Sequence, residues 1–369
     1  MDHHSWRLGE EPVDTADQYP HLGITKSTSK LDPTDNILNK GTRAFYAMTG
    51  AGAYTGGLLP HHSAHLWKTY CIPRMLYGAP VMKFTQTMKT KLDRAQHQLF
   101  KKILGLPNSA ADEAVYLLTG LTPLSTQVDM EILLLVGQLV TLPRTRYEVR
   151  TLLHAVANST PLLQCWNDTL RRYQLPDLQT AITDPIPYNS WKSAAKRAIT
   201  ASIQQNTHKA VESKSSLSFF KGSSLQALDL YPPSCSSPFL RQAVIIRAQL
   251  VTNTYLTQIR LNQIKKTATR HCQLCSGGDE DTVHLVAQCP FHQNSRLNLL
   301  SDLRSRSLPQ QALTVFNLDN PHSFTQAVLL PNRVQVDSTH RHILITKTLT
   351  YLYHIHASRA AALLRASST

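Results

Sequence analysis

Acidic residues are scarce in this 369-residue sequence: 24 Asp and Glu stand against 38 Lys and Arg, a formal charge of +14. Such an excess points to a polyanionic partner. Long apolar runs are missing too. The longest, around Met130 to Leu142, is interrupted by Gly137, Gln138 and Thr141. It falls short of the roughly 20 residues a spanning helix needs, so no membrane partner is expected. Gly50, Gly52, Gly56 and Gly57 have neither the G-x-G-x-x-G interval nor a following Gly-Lys-Ser/Thr, which excludes a nucleotide loop and leaves a turn between helices. There is no Gly-x-Ser-x-Gly element for a serine hydrolase. Residues 293–369 hold only Asp302, Asp319 and Asp337 and no glutamate, too few carboxylates for a two-metal nuclease. Met1 to Glu10 is polar, unlike a secretory leader, so an intracellular setting, nuclear or cytoplasmic, with reduced thiols is the expectation.

Cysteine is also sparse, yet three of the six lie within residues 271–290, at Cys272, Cys275 and Cys289 with His284 between them. The spacing Cys-x2-Cys-x8-His-x4-Cys suits one tetrahedral shell, and three thiolates with one imidazole favour Zn²⁺ over Mg²⁺ or Ca²⁺. A closed shell makes this zinc structural rather than catalytic. Ser276, Gly277 and Gly278 let the chain leave the knuckle, and Asp279, Glu280 and Asp281 suit the start of a short helix that Pro290 stops. His271 and His292 flank the motif as substitute nitrogen donors. The competing reading is three free thiols and an incidental histidine. Cys71, Cys165 and Cys235 read as lone thiols.

Most of the net positive charge sits just before this motif. Twelve Lys or Arg lie between Pro187 and Arg270 against Glu212 and Asp229. Lys192, Lys196, Arg197, Arg241, Arg247, Arg260, Lys265, Lys266 and Arg270 are the candidate phosphate contacts, for RNA or DNA alike. The bland alternative is a solvated basic face.

Periodicity predicts a mainly α protein. Residues 1–18 read as a disordered lead-in, and residues 19–24 as a short strand. Lys89–Leu104 is the clearest amphipathic helix, with Leu92, Ala95, Leu99 and Ile103 on one stripe and Lys91, Arg94, Gln98, Lys101 and Lys102 on another. Helices are expected over Met130–Val140, Arg146–Gln164, Trp191–Ser202, Leu240–Asn262, Arg296–Arg304 and His340–Leu364. Pro176–Tyr188 reads as a linker, Ser213–Pro238 as irregular chain, and Ser307–Pro331 as mostly loop. The divisions are 1–18, 19–175, a basic connector at 176–270, a zinc module at 271–292 and a helical tail at 293–369.

Several stretches carry a resemblance. YPHLGI at 19–24, LWKTYCIPRMLYGAPV at 66–81, LDRAQHQLFKKILGLP at 92–107 and the Cys-Cys-His-Cys stretch occur in the order seen in reverse transcriptases of non-LTR (LINE-type) retrotransposons. The chain is similar to the C-terminal part of such a protein, with Pro20-His21 as a departure within the first stretch. The resemblance implies a thumb-like helical bundle over 19–175, then the connector and a zinc-bearing module that helps hold template RNA or target DNA. Polymerisation in that family needs paired palm aspartates, and no two aspartates are adjacent here, so no polymerase activity is expected. A thumb without its palm would expose apolar surface and favour self-association. The alternatives are a zinc-stabilised protein-interaction module, or a genomic remnant without selected function.

Overall fold

The computed structural model describes residues 7–12, 18–21, 24–27, 33–222, 231, 237–275, 277–306 and 308–367. Two short antiparallel hairpins come first, pairing Arg7–Leu8 with Glu11–Pro12 and Gln18–His21 with Ile24–Ser27. The described residues beyond them are helices and turns, as the periodicity predicts. None of these helices is long and apolar enough to cross a membrane. The rest of the expected lead-in, Leu22 and Gly23 of the expected strand, and Cys235 lie outside the described residues.

Compact units do not follow the linear divisions expected. One unit comprises residues 1–42, 72–92 and 125–196; the other comprises 43–71, 93–124 and 197–369. No unit boundary falls at 175/176. The segment read as a linker contains the helix Leu178–Thr183, capped by the Asp177 carboxylate on Thr180 N. Leu178 and Ala181 are buried, so apolar burial outweighs the three prolines.

In the first unit, Leu124–Thr141 supplies Val128, Ile132, Leu133 and Val136 to the core. Gly137 is the close-approach point. A Cβ there would sit 2.2 Å from Trp191 Cδ1, and Trp191 Nε1 donates to Leu133 O at 2.7 Å. Beside this core, buried Asp129 accepts from Lys89 Nζ, from Arg172 Nη1 at 2.9 Å and from Tyr173 Oη at 2.9 Å. The expected helix Arg146–Gln164 is two, Tyr147–Ala157 and Pro161–Arg172. Ser159 takes φ +46 between them, and Pro161 starts the second helix, where its missing N–H costs nothing.

In the second unit, Trp67 packs edge-on to Phe45 and Phe100, and its Nε1 donates to Gln96 Oε1 at 2.9 Å. The buried stripe of Gln86–Ile103 is therefore Leu92, Gln96, Phe100 and Ile103 rather than one through Ala95 and Leu99. Lys101, expected on the solvent side, is buried and donates to Asn108 O and Asp112 Oδ1. Leu240–Asn262 is again two helices, Pro238–Val251 and Gln258–Gln263, with Asn253 at φ +51 in the break. Gln310–Thr314 and Pro321–Leu329 are helical where loop was expected. The Ser338–Ser367 helix is capped by Asp337 on His340 N. It buries Leu344, Ile345, Thr348, Leu349, Leu352 and Ile355 at three- and four-residue spacing. It packs along Pro238–Val251, where Leu59, Ala243, Val244, Ile345 and Leu349 form one cluster.

Candidate metal centre

Thr257 caps the helix Gln258–Gln263 through Arg260 N, and Lys265 at φ +57 ends it. The chain then folds back on itself: His271 bridges Asp279, Cys272 N donates to Gly278 O at 2.8 Å, and Glu280 N donates to Arg270 O at 2.9 Å. Gly278 has φ +155, an angle L side chains rarely adopt. Gly277 N points at Cys275 Sγ, 3.4 Å away, which directs the thiol inward from the turn. Ser276 lies outside the described residues.

The three acids expected to open a helix divide their work. Only Asp281 caps, with Oδ1 accepting from His284 N at 2.6 Å. Asp279 faces Arg270 and His271 across the knuckle, and Glu280 turns into the core. The next turn, His284–Gln288, is a wide π-turn closed by Cys289 N on His284 O at 2.7 Å. In an α-helix, positions five apart lie about 140° from each other around the axis; the wider turn draws Cys289 round toward His284. Pro290 does not stop the chain's helical course, but opens a short turn into the helix Gln293–Ser305.

The result brings Cys272, Cys275, His284 and Cys289 together, all four ligand atoms within 4.8 Å of one another. Cys272 Sγ and Cys289 Sγ are 3.9 Å apart, and Cys275 Sγ is 3.4 Å from His284 Nε2. Tetrahedral coordination with metal–sulfur bonds of about 2.3 Å gives sulfur–sulfur edges of about 3.8 Å. A disulfide needs about 2.05 Å, so these are free thiols at ligand spacing. Burial pushes the Cys289 thiol up to about 12, raises Cys272, and lowers His284. The imidazole is thus in its ligand form, and the thiolates need a cation beside them. The cluster can hold a metal ion. His271 is exposed beside Asp279, and His292 is buried with Nδ1 on Ser358 Oγ at 3.4 Å; neither belongs to the cluster. Cys71, against Met48 Sδ, and Cys165, toward Phe84 O, lie apart from it.

Glu280 secures the module. Its carboxylate accepts from Arg359 Nε at 2.6 Å, Arg359 Nη2 at 3.2 Å and Gln258 N at 3.1 Å, and Arg359 Nη2 also reaches Leu256 O. Tyr351 Oη donates to Val286 O, inside the wide turn, and Thr282 Oγ1 bonds Asn253 Oδ1. Arg359 and Tyr351 come from the helix Ser338–Ser367, some seventy residues downstream in sequence, which spacing rules do not reach.

The candidate phosphate contacts disperse. Arg260, Lys265, Lys266 and Arg270 lie on the segment entering the knuckle. Lys265 and Lys266 are exposed, Arg260 is half-buried against Gln263, and exposed Arg270 is engaged with Asp279. Arg197 is exposed and Arg241 half-buried in the same unit; Lys192 and Lys196 belong to the first unit. Arg247 corrects the expectation: it is buried, donates to Thr348 Oγ1 and Ile345 O, and is pulled down to about 9 by burial. It is a core residue of the helix pair, out of reach of a phosphate.

No protein-family model, curated protein or solved structure matches this chain.

Proposed function

We propose that the chain is a non-catalytic nucleic-acid-binding segment of LINE-type reverse-transcriptase descent, in which a structural Zn²⁺ occupies the Cys272, Cys275, His284 and Cys289 cluster. One observation carries this reading: Lys265 and Lys266 are exposed on the turn that leads into the knuckle. That turn is held by Lys265 N on Asn262 O and Lys266 N on Leu261 O, an ordered backbone that presents two cations to a phosphate chain. RNA and DNA share that phosphate chemistry. A protein-interaction module is the second reading, favoured by Leu256, Ile264 and Phe291, which are large, apolar and exposed on the segments around the cluster.

Elemental analysis of the purified protein and its Cys275→Ser variant, followed by titration with labelled RNA and DNA over a salt series, separates the readings. One zinc per chain, lost in the variant, is expected. Binding should weaken steeply with salt, and Lys265→Glu with Lys266→Glu should lower the log–log slope by about 2. Zinc without binding to either polymer would favour the interaction module.

A further inference from the structure

The helix Gln293–Ser305 carries apolar surface further round its circumference than its own packing uses. Leu299 and Leu303 are buried on the side that meets the helix Ser338–Ser367. A helix of this kind is normally polar on its remaining face. Here Leu297, Leu300 and Arg304, at three- and four-residue spacing, form one wall of a groove of about 690 Å³, and Leu313, Phe316 and Leu318 close it from across. Leu300 and Phe316 are its floor, 9% and 3% exposed, and Leu297 stands on its lip at 49%.

Charge around the groove has one sign. Residues 303–318 hold two cations, Arg304 and Arg306, and no Asp or Glu. Both arginines are exposed, and neither has an ion-pair partner among the described residues. Asp302, the acid beside them in sequence, is turned away onto Lys347 at 2.6 Å. The groove is therefore apolar along its floor and positive at one end.

That combination selects its occupant. Apolar walls at helical spacing suit the apolar face of another helix, and a 13-residue helix offers roughly 20 Å of length to lie along. A second copy of this chain would bring its charge of +14 to an end that is already cationic. A nucleic-acid strand would set its phosphates against leucine and phenylalanine, which donate nothing. We propose that this groove docks an acidic amphipathic helix of a partner protein, with apolar residues at i, i+3 or i+4 and i+7 inside and a carboxylate against Arg304. Neither the metal nor the phosphate contacts of Lys265 and Lys266 are needed for it.

The test titrates the full chain, by fluorescence anisotropy, with two labelled synthetic helices that share one leucine face and carry either glutamate or lysine on their flanks. The glutamate helix should bind and the lysine helix should bind at least about 10-fold more weakly, as like charges at an interface cost several kcal/mol. Leu297→Lys, at an exposed position that the fold does not depend on, should weaken the glutamate helix about 10-fold to 100-fold, the scale of burying one leucine. That variant gains positive charge, so diffuse attraction between an acidic peptide and a basic protein predicts the opposite. Arg304→Glu should reverse the order of the two helices. No binding of either helix, equal affinity for both, undiminished binding in Leu297→Lys or an unchanged order in Arg304→Glu would each overturn the proposal. So would equally tight binding of a glutamate helix whose leucines are replaced by serine. Sedimentation of the chain alone and titration with RNA and DNA cover the other occupants. A dimer dissociated by Leu297→Lys would assign the groove to a second copy, and nucleic-acid affinity lost in that variant would assign it to a polynucleotide, either result overturning the partner helix.

Discussion

Glu280 was legible as an acid after a glycine turn, and from the sequence it reads as one of three interchangeable helix-start carboxylates. What distinguishes it is Arg359, buried beside it and far along the chain. Glu280→Gln leaves that guanidinium without a counter-charge, and should destabilise the second unit by about 3 to 5 kcal/mol. Urea unfolding of the metal-loaded protein measures it; a loss below about 1 kcal/mol would mean that the Arg359 pair is solvated. Asp112 offers a pH test. His97, with Nδ1 3.5 Å away, and Lys101, at 2.6 Å, hold its carboxyl well below the usual range against partial burial, which pulls the other way. The folded value is below the unfolded one, so the ionised group contributes stability above about pH 4 and loses it as pH falls toward the folded value. Asp112→Asn should lower the urea midpoint at neutral pH, with the gap to wild type closing on acidification. A gap constant from neutral pH down to about pH 2 would assign the effect to packing rather than charge.

At the scale of elements, helices were legible wherever an apolar period ran unbroken, and their interruptions were not. Asn253 in the left-handed region breaks one expected helix because its side chain is recruited by Ser215 O, Ser218 Oγ and Thr282 Oγ1, partners on other elements. Gly105 was readable as a helix stop followed by Pro107, and it takes φ +65 there. The structure adds a second reason: a Cβ would meet Ile245 Cγ2 at 2.6 Å, and Gln249 Nε2 donates to Gly105 O at 2.7 Å. Gly105→Ala is expected to cost about 1 to 3 kcal/mol through the positive φ and the overpacking together. Thermal denaturation checks it, and pairing with Ile245→Leu, which lacks the clashing Cγ2, should recover the packing share but not the backbone share.

For the whole molecule, the metal is expected to set the stability of the zinc-motif segment, because the donors carry most of the reason for that segment to fold. Chelation followed by hydrogen exchange should strip protection from the Cys272, Cys289 and His292 amides, which are bonded within the module. The Trp191 and Asp129 core of the first unit holds no ligand and should keep its protection. Loss at both sites would mean that the ion supports more of the chain than the module. Retained protection at Cys289 would mean that packing against Tyr351 suffices without metal.

Local chemistry decided what was readable in advance. Four donors at zinc spacing, a predominance of helix and a cationic stretch before the knuckle are properties of neighbours in the chain, so the sequence alone determined them. Tertiary structure decided which charges are usable and which are structural, because burial depends on segments distant in sequence. It placed Arg247 against Thr348, Lys101 under Asp112, and Glu280 on Arg359. It also divided the chain into units that interleave three stretches each. A linear reading cannot anticipate that division, since each contribution is fixed only by what it packs against.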